Sequence, residues 1–147
     1  MMKSAKDFLT KEQQESIVQA IADAEHQTSG EIRVHIESNC KGDPYERATA
    51  VFVKLKMNKT KERNGVLFYL AVKDRKFALV GDSGIHAVVT PDFWVQVKDV
   101  VLQSFRQENF SGGLSLGIEK AGEQLKKYFP YSKNDVNELS DEISFGK

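Results

Sequence analysis

Residues 64–85, NGVLFYLAVKDRKFALVGDSGI, decide how this chain is built. Residues 66–72 (VLFYLAV) are apolar without alternation, the pattern of a central strand covered on both faces. Lys73, Asp74 and Arg75 are too few for anything but a hairpin turn, so residues 76–81 (KFALVG) should return antiparallel. Gly81, Asp82, Ser83 and Gly84 then set a carboxylate between two glycines. Such a loop either turns a corner or presents oxygen atoms to a ligand.

Upstream, residues 31–37 (EIRVHIE) alternate, with Ile32, Val34 and Ile36 on one face and Arg33 and His35 on the other, as in a half-buried strand. A first helix precedes it: Thr10 and Gln13 form a capping box, Ile17, Ile21 and Ala24 follow at helical spacing, and Gly30 supplies a stop. Asp43 and Pro44 open a second helix as cap and first-turn residue, with Ala48, Val51, Phe52 and Leu55 as its apolar stripe. Thr90, Pro91 and Asp92 open a third, running to about Glu108 with Phe93, Val97, Val100, Val101 and Phe105 inward. A fourth runs from Ser111 through Leu114, Ile118 and Leu125 to a stop before Pro130. Strand, helix, strand implies a right-handed crossover and a parallel pair, to which the hairpin adds an antiparallel strand. The expected fold is α/β, a three-layer sandwich with a small mixed sheet flanked by helices. Residues 1–130 form this domain. Residues 131–147 are a polar tail, either disordered or, since Val136, Leu139 and Ile143 fall at helical spacing, a short docked helix.

The chain has 147 residues, of which 21 are basic and 21 acidic. This length suits one domain able to bury roughly 70% of its unfolded surface without staples. Zero net charge argues against a dedicated nucleic-acid binder, which needs basic excess to neutralise phosphates. Cys40 is the single cysteine, which rules out an internal disulfide and a cysteine zinc site. No stretch has the apolar core of a signal peptide or the roughly 18 apolar residues of a membrane span, so the expected location is cytoplasmic.

The layout sends polar residues to opposite ends of the sheet, roughly 20 Å apart for strands of this length. One end gathers Glu31, Arg63, Asn64 and the Gly81–Gly84 loop, with Asp92 close behind. The other gathers Glu37, Ser38, Asp43 and the Asp74–Arg75 turn. At the first end, Asp82, Asp92 and Glu31 are candidate ligands for a hard divalent cation. Arg63, Asn64, Ser83, Gly81 and Gly84 are candidate ligand-binding neighbours. Asp43 and Asp74 mark the alternative site, although a cap and a turn already account for them. Lys54, Lys56, Lys59, Lys61 and Arg63 form a basic run that could attract an anion. No nucleophile or general base is identifiable. Histidines 26, 35 and 86 lack metal-ligand spacing, and Cys40 has no arginine at the offset of a phosphatase loop.

The segment NGVLFYLAVKDRKFALVGDSGI resembles the central signature of the TPM domain family. FLTKEQQESIVQAIADAEHQTSGEIRVHI is similar to that family's opening helix and first strand, YERATAVFVKLKM to its second helix and FRQENFSGGLSLGIEKAG to its closing segment. Residues 8–129 are covered, with the elements in the same order. The resemblance implies an α/β/α sandwich. For some members it implies calcium binding and acid-phosphatase-like hydrolase activity, and for others the maintenance of membrane protein complexes. By position it carries the family's asparagine-glycine to Asn64 and Gly65, its glycine loop to Gly81 and Gly84, and its aspartate to Asp92. The chain departs from the pattern by one inserted residue in that loop, and His86 stands in place of an acid. Two functions follow. The first is binding of a divalent cation, calcium foremost with magnesium as the alternative, together with weak hydrolysis of a phosphorylated small molecule. The second is a non-catalytic interaction or assembly module with a protein partner.

Overall fold

The structure, a computed structural model, describes residues 5–132 and 138–146. Its elements are α1 (Lys11–Glu25), β1 (Glu31–Glu37), α2 (Pro44–Lys54), β2 (Gly65–Ala71), β3 (Lys76–Gly81), α3 (Ser83–His86), α4 (Pro91–Arg106), α5 (Phe110–Leu125) and β4 (Ser144–Phe145). Local chemistry sets most of these boundaries. Thr10 Oγ1 accepts from Gln13 N–H at 3.1 Å while Gln13 Oε1 accepts from Thr10 N–H at 2.9 Å, the expected capping box. Asp43 Oδ2 accepts from Glu46 N–H at 2.9 Å, and Pro44 fills the first turn of α2. Asn109 caps α5 through Gly112 N–H, so the helix begins at Phe110, one residue before the expected Ser111.

β1 and β2 pair in parallel from Glu31 with Gly65 to Glu37 with Ala71, and β3 returns antiparallel on β2. β2 is buried along its whole length, which explains its lack of alternation. Ile32, Val34 and Ile36 join Val66, Phe68 and Leu70 against α1, α4 and α5 on one face. Leu67, Tyr69 and Ala71 pack against α2 on the other. The result is the three-layer α/β sandwich expected from the sequence.

Two elements depart from expectation. Residues 83–86 form a single helical turn where an open loop was expected. In the described part of the tail, Ser144–Phe145 adds a fourth strand parallel to β1, giving the order β3-β2-β1-β4. Val136 lies outside the described residues. The physical reason is an uncovered edge on β1. Glu138 N–H reaches Glu31, Ser144 reaches His35 and Gly146 N–H donates to Ile36 O at 2.9 Å. Ile143 and Phe145 meanwhile pack into the larger core and Leu139 into the smaller.

Candidate functional site

Topology brings Glu31, Asn64 and Asp82 to one rim, as expected: Glu31 is in register with Gly65, and Asp82 N–H donates to Gly65 O at 3.0 Å. Asp82 is nevertheless committed elsewhere. Its two oxygens each accept from the Arg63 guanidinium at 2.8 Å, and Oδ1 also accepts from Ser83 N–H, capping α3. A carboxylate held in this fork has little left to offer a cation. Gly81 and Gly84 serve packing. A β-carbon on Gly81 would collide with the Trp94 ring, and one on Gly84 with the Glu62 and Arg63 carbonyls. Asp92 is exposed on α4 and accepts from Gln96 at 2.5 Å. The expected trio of Asp82, Asp92 and Glu31 is therefore not assembled. Among the described residues no three His, Cys, Asp or Glu side chains are arranged as a metal-ligating group. At the alternative end, Asp43 caps α2 and Asp74 accepts from Cys40 N–H at 2.6 Å, both structural tasks. The basic run divides between the poles, with Lys54 beside His35 and Arg63 beside Asp82.

Glu31 keeps company that the sequence did not reveal. It is 3% exposed and its Oε1 accepts from Glu138 N–H at 2.7 Å. Glu25, at the end of α1, accepts through Oε2 from Ile32 N–H at 3.2 Å, while its Oε1 is buried without a donor among the described residues. Burial, then the carboxyls of Asp141 and Glu31, push the Glu25 pKa far above the usual carboxylate range. Burial raises Glu31 as well, against the hydrogen bonds from Glu25 and Glu138. Carboxyls this close can serve one another only by sharing a proton or a cation. Asn64, 1% exposed on the same rim, also has a buried Oδ1 without a donor.

At the opposite end of β1, Glu37 is also 3% exposed but fully served. Arg47 grips it through two bonds of 2.8 and 2.9 Å, the Tyr69 hydroxyl donates to it, and His35 Nε2 stands 3.1 Å away. Burial alone would raise its pKa. These partners reverse that and hold it down at about 2. His35 Nδ1 meets Ser144 Oγ at 2.9 Å. Hydroxyl, imidazole and carboxylate stand in the order of a hydrolase triad, but the electrostatics are wrong for one. Arg47 already matches the Glu37 charge, and burial, helped by the nearby Arg47 and Lys54, lowers the His35 pKa in spite of Glu37.

A family model described as TPM domain matches residues 2–124. The chain belongs to the TPM domain family. Among solved structures, the BA42 protein from the psychrophilic bacterium Bizionia argentinensis is 50% identical, with a TM-score of 0.92 over 99% of this chain and 100% of that one. The N-terminal domain of the cg2496 protein from Corynebacterium glutamicum is 16% identical, with a TM-score of 0.66 over 96% of this chain and 82% of that one. An N-terminal domain from P. gingivalis is 18% identical, with a TM-score of 0.68 over 86% and 83%. These last two share the fold. No curated protein matches the sequence. Among the described residues of this TPM domain, no helix is long and apolar enough to cross a membrane.

Sequence reasoning missed Glu25, Asp141, His35, Glu37, Arg47 and Tyr69 as site residues of this TPM domain. A signal was available for two of them. His35 and Glu37 fall on the polar face of a strand whose other face is core, so they must find partners or remain in water. Arg47 and Tyr69 lie on other elements, and only the tertiary fold brings them in. The tail residues, Asp141 and Ser144, lie beyond the matched segment.

Proposed function

We propose that the domain is a divalent-cation-binding module in which calcium, or magnesium in its place, is taken up by Glu25 and Glu31 and draws in Asp141 of the C-terminal segment, completing a site that the three carboxyls do not form as they stand. The observation that carries this reading is the buried Oε1 of Glu25, which has no donor among the described residues and whose charged neighbours there are carboxyls. A hard cation takes such oxygens and replaces the proton that the cluster otherwise needs. Asn64 Oδ1, buried on the same rim, is a further oxygen of the right kind. The bound ion would supply charge neutralisation and a bridge between the start of β1 and the tail. Hydrolysis is the weaker reading, because Arg63 spends its fork on Asp82 and is not available to hold a phosphoryl group at the carboxyls.

A calcium titration followed by thermal unfolding tests the reading. The melting temperature should rise with calcium by mass action. The rise should disappear in Glu25→Gln and in Glu31→Gln, and survive in Asp82→Asn. A melting temperature indifferent to millimolar calcium, or an equal rise in Glu25→Gln, would overturn it.

A further inference from the structure

The Glu37 cluster forms the floor of a cleft of about 760 Å³ at the carboxyl end of β1. This is the size range of small-molecule sites, and open α/β sheets bind ligands beyond the carboxyl ends of their parallel strands. α2 forms one wall with Val51, Lys54 and Leu55, and Phe145 of β4 forms another. The loop after β1 contributes Lys41 and is pinned from below, since Lys76 Nζ donates to Cys40 O at 2.9 Å and Gly42 O at 2.8 Å.

Charge decides what fits. Lys41, Arg47 and Lys54 line the cleft, against one acid, Glu37. Arg47 and Glu37 cancel in their bidentate pair. Two ammonium groups, those of Lys41 and Lys54, remain without a carboxylate partner among the described residues. The floor feels this positive field, because Arg47 and Lys54 both oppose a proton on His35. Val51, Leu55 and Phe145 give the same cleft an apolar side.

We propose that this cleft binds a small dianion with a short apolar body, a phosphate monoester or a dicarboxylate, with Lys41 and Lys54 facing its two negative charges. The site lies at the opposite end of β1 from the cation cluster and does not depend on it. Two compact, rotatable ammonium groups suit an anion of either geometry, whereas a free arginine fork would have favoured planar pairing. β4 is part of the wall, so an occupied cleft also holds the C-terminal strand on the sheet edge.

The test is a backbone-amide NMR titration in chelator, so that failure of the cation reading leaves it untouched. Phenyl phosphate, succinate and acetate are added at constant ionic strength, at a pH above the second ionisation of a phosphate monoester, roughly 6. The two dianions should shift the amides of residues 39–41 and 144–146 saturably, and acetate should not. If phenyl phosphate alone saturates, the ligand is a phosphate monoester; if succinate alone does, it is a dicarboxylate. Either result supports the site. Lys41→Gln and Lys54→Gln should each weaken binding about tenfold, the loss of one charge-assisted contact. Both should melt as the parent does, since neither lysine has a carboxylate partner among the described residues. Linear, unsaturated shifts for both dianions up to tens of millimolar, shifts by acetate equal to those by succinate, or full binding by both lysine variants would overturn the proposal.

Discussion

Glu31 and Glu37 close the two ends of one strand, face the same side of the sheet and are each 3% exposed, yet their acidities move in opposite directions. Burial weighs against the charged form of both. The difference lies in what each meets. Glu37 finds a guanidinium, a phenol and an imidazole, all drawn from elements of the folded core or from β1 itself. Glu31 finds Glu25 and a tail that brings further acid. One end of the strand is complete as folded, whereas the other, among the described residues, meets acids and no basic side chain. Equal burial therefore distinguishes nothing here. The count of donors around each carboxylate separates a structural acid from a ligand in waiting.

Removing the cation that completes Glu37 should have the largest effect. Arg47→Met leaves a buried carboxylate without its fork. Breaking a fully buried pair costs roughly 3–5 kcal/mol. The Arg47 side chain is 44% exposed, so water partly takes its place, and a loss of about 2–3 kcal/mol is expected in urea unfolding. A loss below about 1 kcal/mol would mean that Tyr69 and His35 hold Glu37 without Arg47. Acid should act on the same bond. Glu37 binds its proton near 4.5 when unfolded but only at about 2 when folded, so its contribution is present above 4.5 and is lost as pH falls through 2.

Glu25 carries the opposite sign and sharpens the contrast. Its folded pKa lies far above the ordinary 4.5, so in the chelated protein it binds more protons folded than unfolded. Stability contributed by this group is therefore present below about 4.5 and declines as pH rises above it. Glu25→Gln keeps an uncharged side chain at the same place. The variant should lose that decline, matching the parent at low pH and exceeding it at neutral pH in chelator. Calcium competes with the proton, so it should raise the melting temperature of the parent more at pH 8 than at pH 5.5. Melting curves across pH, with and without calcium, check both statements. An equal calcium effect at the two pH values would sever the link between the carboxyl cluster and the ion.

Much of this molecule was legible where causes are local. Thr10 with Gln13, Asp43 with Pro44 and the three-residue reversal at Asp74 are chemistry between neighbours in sequence, and each stands where expected. The convergence of Glu31, Asn64 and Asp82 on one rim followed from the parallel pair and the hairpin. The role of Asp82 did not follow. Its partner Arg63 lies 19 residues back and reaches it from a backbone with φ of 52°, a conformation that side-chain composition does not announce. β4 was hidden for a related reason. A two-residue strand carries almost no periodicity of its own, and its partner His35 is 109 residues away. The polar tail looked unable to fold because what receives it is the open backbone edge of β1, with Ile143, Phe145 and Leu139 as its few apolar anchors, and an open edge leaves no mark in the sequence.

The smallest expected effect concerns whether that tail answers to both poles at once. Ser144→Ala removes the hydroxyl that meets His35 Nδ1, and a loss of about 1 kcal/mol or less is expected. The Gly146 N–H to Ile36 O bond remains, as does the packing of Ile143 and Phe145. His35 and Glu31 stand four residues apart on β1, roughly 13 Å, and share no bonded partner. Ser144→Ala and Glu25→Gln should accordingly add within about 0.5 kcal/mol in a double-mutant cycle measured in chelator. Calcium changes the expectation. An ion joining Asp141 to Glu25 and Glu31 fixes the segment three residues before Ser144, so the cost of Ser144→Ala should shrink once the cluster is saturated. A cost that stays the same in calcium would show the two ends of the strand to be independent, with the tail held separately at each.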